Sequence, residues 1–104
     1  MYTFVETRLF TRLVSEYLSD EEYAAMQVFL LMHPEVGAIV RGSGGVRKLR
    51  WGAERRGKRG GVRVIYYLKN AAGQIWLLTL YAKNVRESIP ASILRKIKEE
   101  VDDA

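Results

Sequence analysis

A chain of 104 residues that is 48% hydrophobic can close one modest core, so residues 1–104 are expected to form a single domain. With no cysteine and His33 as the only histidine, disulfides, thiol nucleophiles and an ordinary zinc site are excluded, and neither a metal nor another cofactor is expected. The net charge of +5 favours anionic partners, while no apolar run approaches the ~20 residues of a membrane span and residues 1–6 lack the basic and apolar regions of a secretion signal; a cytoplasmic location and no membrane partner are expected.

Tyr2-Thr3-Phe4-Val5-Glu6-Thr7 alternates and is rich in aromatic and β-branched residues, which predicts a first strand. Leu9, Phe10, Leu13, Val14 and Tyr17 then recur at helical spacing. Ser19-Asp20-Glu21-Glu22 places Ser at an N-cap and Glu three positions later, a capping box that starts a second helix carrying Tyr23, Met26 and Leu30 inward. That helix should end near His33-Pro34, because proline disfavours helical geometry in the residue before it. His33 is expected to cap the helix end rather than to catalyse.

Gly42-Ser43-Gly44-Gly45 breaks the chain before Val46-Arg47-Lys48-Leu49-Arg50-Trp51, a strand with Lys48 and Arg50 on one face and Leu49 and Trp51 on the other. A basic, glycine-rich connection covers residues 52–61. Residues 62–68 and 75–82 are nearly continuous apolar runs, and the short link around Asn70-Ala71-Ala72-Gly73 predicts central strands paired antiparallel. Pro90 fits the first turn of a last amphipathic helix, with Ile93, Leu94 and Ile97 facing inward. The order is strand, helix, helix, three strands, helix: an α+β fold with an antiparallel sheet flanked by an N-terminal helical hairpin and a C-terminal helix.

Positive charge is concentrated. Residues 1–40 hold two Lys/Arg against six Asp/Glu, residues 41–63 hold nine against one, and residues 64–104 hold six against five. Such a cluster repels itself unless a polyanion is near, which points to a nucleic acid; the competing reading is a solvated basic loop of non-specific affinity.

Gly45-Val46-Arg47-Lys48-Leu49-Arg50, Gly61-Val62-Arg63-Val64-Ile65-Tyr66-Tyr67 and Leu78-Thr79-Leu80-Tyr81-Ala82-Lys83-Asn84, in that order of elements, resemble the RelE/ParE superfamily of bacterial toxins. Tyr17-Leu18-Ser19-Asp20-Glu21-Glu22-Tyr23 and Gly57-Lys58-Arg59-Gly60-Gly61 look most like its HigB-type branch. The resemblance implies a toxin of a type II toxin–antitoxin system that enters the ribosomal A site and cuts mRNA there. It also implies a cognate antitoxin, in this branch usually a helix-turn-helix, HigA-like protein that recruits the toxin to promoter DNA. Two other readings are open: a ParE-like gyrase poison, and an RNA- or ribosome-binding module without catalysis.

Cutting RNA without metal requires the ribose 2′-oxygen to attack the adjacent phosphorus. One group must accept the 2′ proton, others must stabilise the phosphoryl oxygens, and another must protonate the departing 5′-oxygen. The familiar pair of histidines is absent, so a crowd of cations must substitute, since neighbouring positive charges make a neutral lysine amine more available. Lys48 or Lys83 is the expected base. Carried over from the family, its paired basic positions look like Lys48 and Arg50, and its third-strand arginine looks like Arg63. Arg63 also stands out unaided, as a charge at the start of an apolar strand whose planar fork suits a phosphate; a structural salt bridge is the competing reading. The active set is therefore Lys48, Arg50, Arg63 and Lys83.

Arg47, Arg55, Arg56, Lys58 and Arg59 are expected to grip phosphates without reading sequence. Tyr81, Asn84 and Arg86 complete the expected RNA contacts; a tyrosine at 66, 67 or 81 would stack on a base unless it belongs to the core. Asn84 stands where the family has an arginine, and Pro90 stands near where RelE carries a catalytic tyrosine. That leaves Lys83, Tyr81 or ribosomal RNA as the source of the leaving-group proton.

Overall fold

The computed structural model describes residues 1–52, 61–83 and 88–104. The first strand, β1 (Thr3–Glu6), runs straight into α1 (Arg8–Tyr17). Thr7 makes the junction: its hydroxyl accepts from the Phe10 amide at 3.0 Å and donates to the Leu78 carbonyl at 2.8 Å. One side chain thus caps the helix and ties it to a distant strand. Buried Leu18 separates α1 from α2 (Asp20–Met32). The capping box is complete, with the Glu22 amide donating to Ser19 Oγ at 3.1 Å and the Ser19 amide donating to Glu22 Oε1 at 2.7 Å. The helix stops before Pro34. His33 is its C-cap residue, bonded through its backbone amide to the Phe29 carbonyl while its ring lies 5.1 Å from that of Phe29.

A five-stranded sheet follows, adding β2 (Ala38–Ile39), β3 (Arg47–Trp51), β4 (Val62–Lys69) and β5 (Gln74–Ala82) in the spatial order β1-β5-β4-β3-β2. The expected order of elements holds, with β2 as an additional strand. Two exposed residues carry no readable pattern, but Ala38 pairs with Lys48 and Ile39 with Arg47. The glycine-rich break at 42–45 is the turn of this hairpin. Ser43, fully buried, donates to the Val40 carbonyl at 2.6 Å and accepts from the Val46 amide at 3.0 Å.

The sheet is antiparallel except at one edge, where β1 lies parallel to β5. A parallel neighbour needs a long crossover, and the two helices and the strand meander supply it. Between β4 and β5 the register shifts: Ile65 faces Thr79 and Tyr66 faces Leu77, so Leu78 is a bulge residue. The extra residue lets Leu77 and Leu78 enter opposite layers of the core, keeping two continuous apolar runs in phase with both.

One sheet face, with Leu49, Val62, Val64, Tyr66 and Leu80, packs on Phe10, Leu18, Met26 and Leu30 of the helical hairpin. The other, with Val46, Ile65, Leu78 and Tyr81, packs on Leu94 and Val101 of the last helix, α3 (Ala91–Asp102). Burying each such large side chain stabilises the fold by about 1.5–3 kcal/mol. Pro90 is the N-cap residue of α3, one position earlier than a first-turn proline. Ile93, expected inside, is 48% exposed. Leu94, Ile97 and Val101 form the inner stripe instead, at steps of three and four. Among the described residues no helix is long and apolar enough to cross a membrane.

Candidate nucleic-acid interface

The strand register brings together part of the expected cation set. Arg50 of β3 lies directly opposite Arg63 of β4, and Arg63 lies opposite Tyr81 of β5. Lys48 lies opposite Ile65, which faces Thr79. Since directly paired residues share a face, Lys48, Arg50 and Arg63 all belong to the α3 side of the sheet. Cross-strand partners sit with Cβ atoms about 4.5–5.5 Å apart, and alternate residues of one strand are about 6.8 Å apart. Arg50 is exposed, Arg63 and Lys48 are half-buried, and Lys83 is exposed one residue past the end of β5. Val62 pairs with Ala82, so Lys83 leaves the sheet at the end where Arg50 and Arg63 stand.

Arg50 and Arg63 set two guanidinium groups on neighbouring strands of one sheet face. Their forks suit phosphate oxygens, and an ammonium two residues away adds a point charge and a proton carrier. Lys48 lines a cavity of about 240 Å³ whose walls are Val40, Ile65, Tyr81, Leu94 and residues 88–91. Those walls were not expected from the sequence: Ser88-Ile89-Pro90 reads only as a helix start, and nothing local says that it faces Lys48. Gly61, at the start of β4, takes a φ of +70°. A Cβ there would collide with the Trp51 carbonyl oxygen, so this end of the β3–β4 pair admits only glycine.

Other expected contacts lie elsewhere. Arg47 alternates to the opposite face, where its Nη1 donates to the Glu35 and Gly37 carbonyls, each at 2.8 Å; it clamps the α2–β2 connection and is withdrawn from the phosphate set. Tyr81 is 6% exposed and packed in the α3 layer, so its ring cannot serve as a stacking platform, although its edge lines the cavity. Tyr66 is fully buried, its hydroxyl accepting from the Gly37 amide at 2.9 Å and donating to the Pro34 carbonyl at 2.8 Å. Arg55, Arg56, Lys58, Arg59, Asn84 and Arg86 fall outside the described residues.

The helix that walls the cavity is anchored at its far end. Asp102 accepts from Lys98 at 2.8 Å and from the Tyr67 hydroxyl at 2.9 Å. Lys69 Nζ donates to the Val101 and Ala104 carbonyls at 2.9 and 3.0 Å. The Lys98 ammonium holds the Asp102 carboxyl below the usual carboxylate range. Burial, and then the bond to Asp102, raises the Tyr67 phenol.

No family model matches the chain. A solved structure of E. coli toxin RelE, an arginine-to-alanine double mutant in the free state, matches with a TM-score of 0.58 over 93% of this chain and 96% of that one, at 14% sequence identity. The fold is that of RelE. In this RelE-like fold Lys48, Arg50 and Arg63 lie on the strands β3 and β4, with Lys48 beside the N-terminal end of α3, and at such low identity the likeness carries the architecture alone.

Proposed function

We propose that this chain is the toxin of a type II toxin–antitoxin system of the HigB branch, acting in the cytoplasm as a ribosome-dependent, metal-independent mRNA endonuclease. The observation that carries the reading is the register placing Arg50 opposite Arg63, with Lys48 on the same face and beside a cavity. The RelE-like fold supports it. In the proposed reaction Arg50 and Arg63 hold the phosphoryl oxygens and stabilise the charge that develops on them. Lys48 accepts the 2′ proton as the 2′-oxygen bonds to phosphorus. The bond from phosphorus to the 5′-oxygen breaks, Lys83 delivers a proton to that oxygen, and a cyclic phosphate remains. Each proton transfer contributes about 10²–10⁴ in rate. The partners are the ribosome and its mRNA, and a helix-turn-helix, HigA-like antitoxin through which alone the chain reaches promoter DNA.

Induced expression tests this. The wild-type chain should arrest growth and generate new transcript ends that depend on active translation. Arg63→Ala should abolish both while circular dichroism shows the fold unchanged, and a toxic Arg63→Ala variant would overturn the assignment. A gyrase poison on the same fold would arrest growth without new transcript ends.

A further inference from the structure

The outer face of α2 has the wrong chemistry for a surface that meets only water. Its inner face is spent on the core, where Met26 and Leu30 are fully buried. On the other side Ala24, Ala25, Val28, Leu31 and Met32 are all exposed, with Val28 at 57%, Leu31 at 40% and Met32 at 70%. Spacings of four and three from Ala24 through Val28 to Leu31, and of three and four from Ala25 through Val28 to Met32, make this one continuous stripe. The helices α1 and α3 each expose one large apolar residue, Leu9 at 40% and Ile93 at 48%, set among exposed Arg8, Arg12 and Glu16, and Arg95, Lys96 and Glu99, so neither carries a continuous apolar stripe. A helix that is apolar all round is covered on both sides in a folded assembly, and a contiguous exposed apolar stripe marks an interaction surface.

Charge selects the occupant. The stripe begins at exposed Asp20 and Glu21 and ends before exposed Glu35, and α2 itself contains no Lys or Arg. Nucleic acid would meet carboxylates here and is excluded. A second copy is disfavoured as well: antiparallel pairing of two α2 helices sets Asp20 and Glu21 against Glu35, parallel pairing sets each against itself, and both juxtapose like charges. We infer that α2 docks an amphipathic helix of a different protein, one whose apolar stripe is flanked at both ends by lysine or arginine. Because α2 packs on the sheet face opposite Lys48, Arg50 and Arg63, a partner seated there leaves the cation face uncovered. The docking face is independent of whether the sheet face cuts RNA.

Calorimetric titration of the full-length chain tests this with two synthetic amphipathic helices, one carrying a leucine stripe with lysine and arginine at both ends, the other with glutamate in their place. The basic peptide should bind. Val28→Glu combined with Met32→Glu, at exposed positions that leave the core untouched, should weaken it at least about tenfold, and the acidic peptide should bind at least about tenfold more weakly than the basic one to the wild type. No binding of the basic peptide, equal binding of both peptides, or indifference to the double substitution overturns the inference. So does sedimentation showing a wild-type dimer that the double substitution dissociates. Induced expression, run in parallel, separates the two readings: a wild-type chain that yields no translation-dependent transcript ends removes the proposed RNA chemistry and leaves the α2 face standing, whereas such ends alongside peptide failure do the reverse.

Discussion

Arg47 and Lys48 are neighbours in sequence with opposite roles. Arg47 spends its guanidinium on two backbone carbonyls, whereas Lys48 borders the cavity on the other face. Arg47→Ala should therefore cost about 1–2 kcal/mol in urea denaturation, from two charge-assisted hydrogen bonds at a partly exposed site, and leave affinity for single-stranded RNA unchanged. Arg50→Ala should do the converse, weakening RNA binding with no measurable loss of stability. A variant set in which Arg47 and Arg50 behave alike would contradict this division. Strand alternation already separated Arg47 from Lys48 and Arg50, because side-chain period is local. The carbonyls that claim Arg47 belong to a connection ten and more residues earlier, and composition counts it as one more cation. Tyr81 is the matching case among aromatics: its strand is apolar on both sides, so nothing local distinguishes a core ring from a base platform.

At the scale of elements, α3 both walls the cavity and depends on a small polar anchor. Because the Lys98 ammonium lowers the Asp102 carboxyl, the anchor's contribution is complete above the ordinary carboxylate value of about 3.9 and is lost as pH falls through the depressed folded value. Hydrogen exchange should accordingly show the last turn of α3 evenly protected between about pH 5 and 7 and loosened only in stronger acid. Asp102→Asn should remove that acid-induced step; an unchanged step in the variant would show that another group is responsible. The helices were legible because their signals are local: the Ser19 and Glu22 capping box, the periodic apolar residues of α1, and Pro34 beyond the end of α2. The two-residue β2 was not, since its existence rests on pairing with Lys48 and Arg47. Nor was the bulge at Leu78, because a run that is apolar at every position reads the same with or without one extra residue. Ile93 was misplaced for a related reason: three apolar residues at 93, 94 and 97 fit one stripe, but the docked helix turns Val101 inward instead.

At the scale of the molecule, the described residues set a group of cations and an apolar helix stripe on opposite sides of the sheet. Lys48, Arg50 and Arg63 stand on one side of the sheet, and the acidic, apolar-faced α2 covers the other. Affinity for single-stranded RNA should fall with salt, and the joint variant Arg50→Ala with Arg63→Ala should reduce the slope of log affinity against log salt by about 1.4, or about 0.7 for each lost phosphate contact. A slope that does not change would place the phosphates elsewhere. Sequence alone determined the type and order of most elements, the two faces of β3 and the concentration of positive charge between residues 41 and 63, since each follows from residues near one another in the chain. Only the tertiary structure decided that Arg50 faces Arg63, that β1 runs parallel to β5, that residues 88–91 close a cavity over Lys48, and that the outer stripe of α2 is left bare. Those depend on which distant segments become neighbours, and that choice is made by the packing of both sheet faces at once.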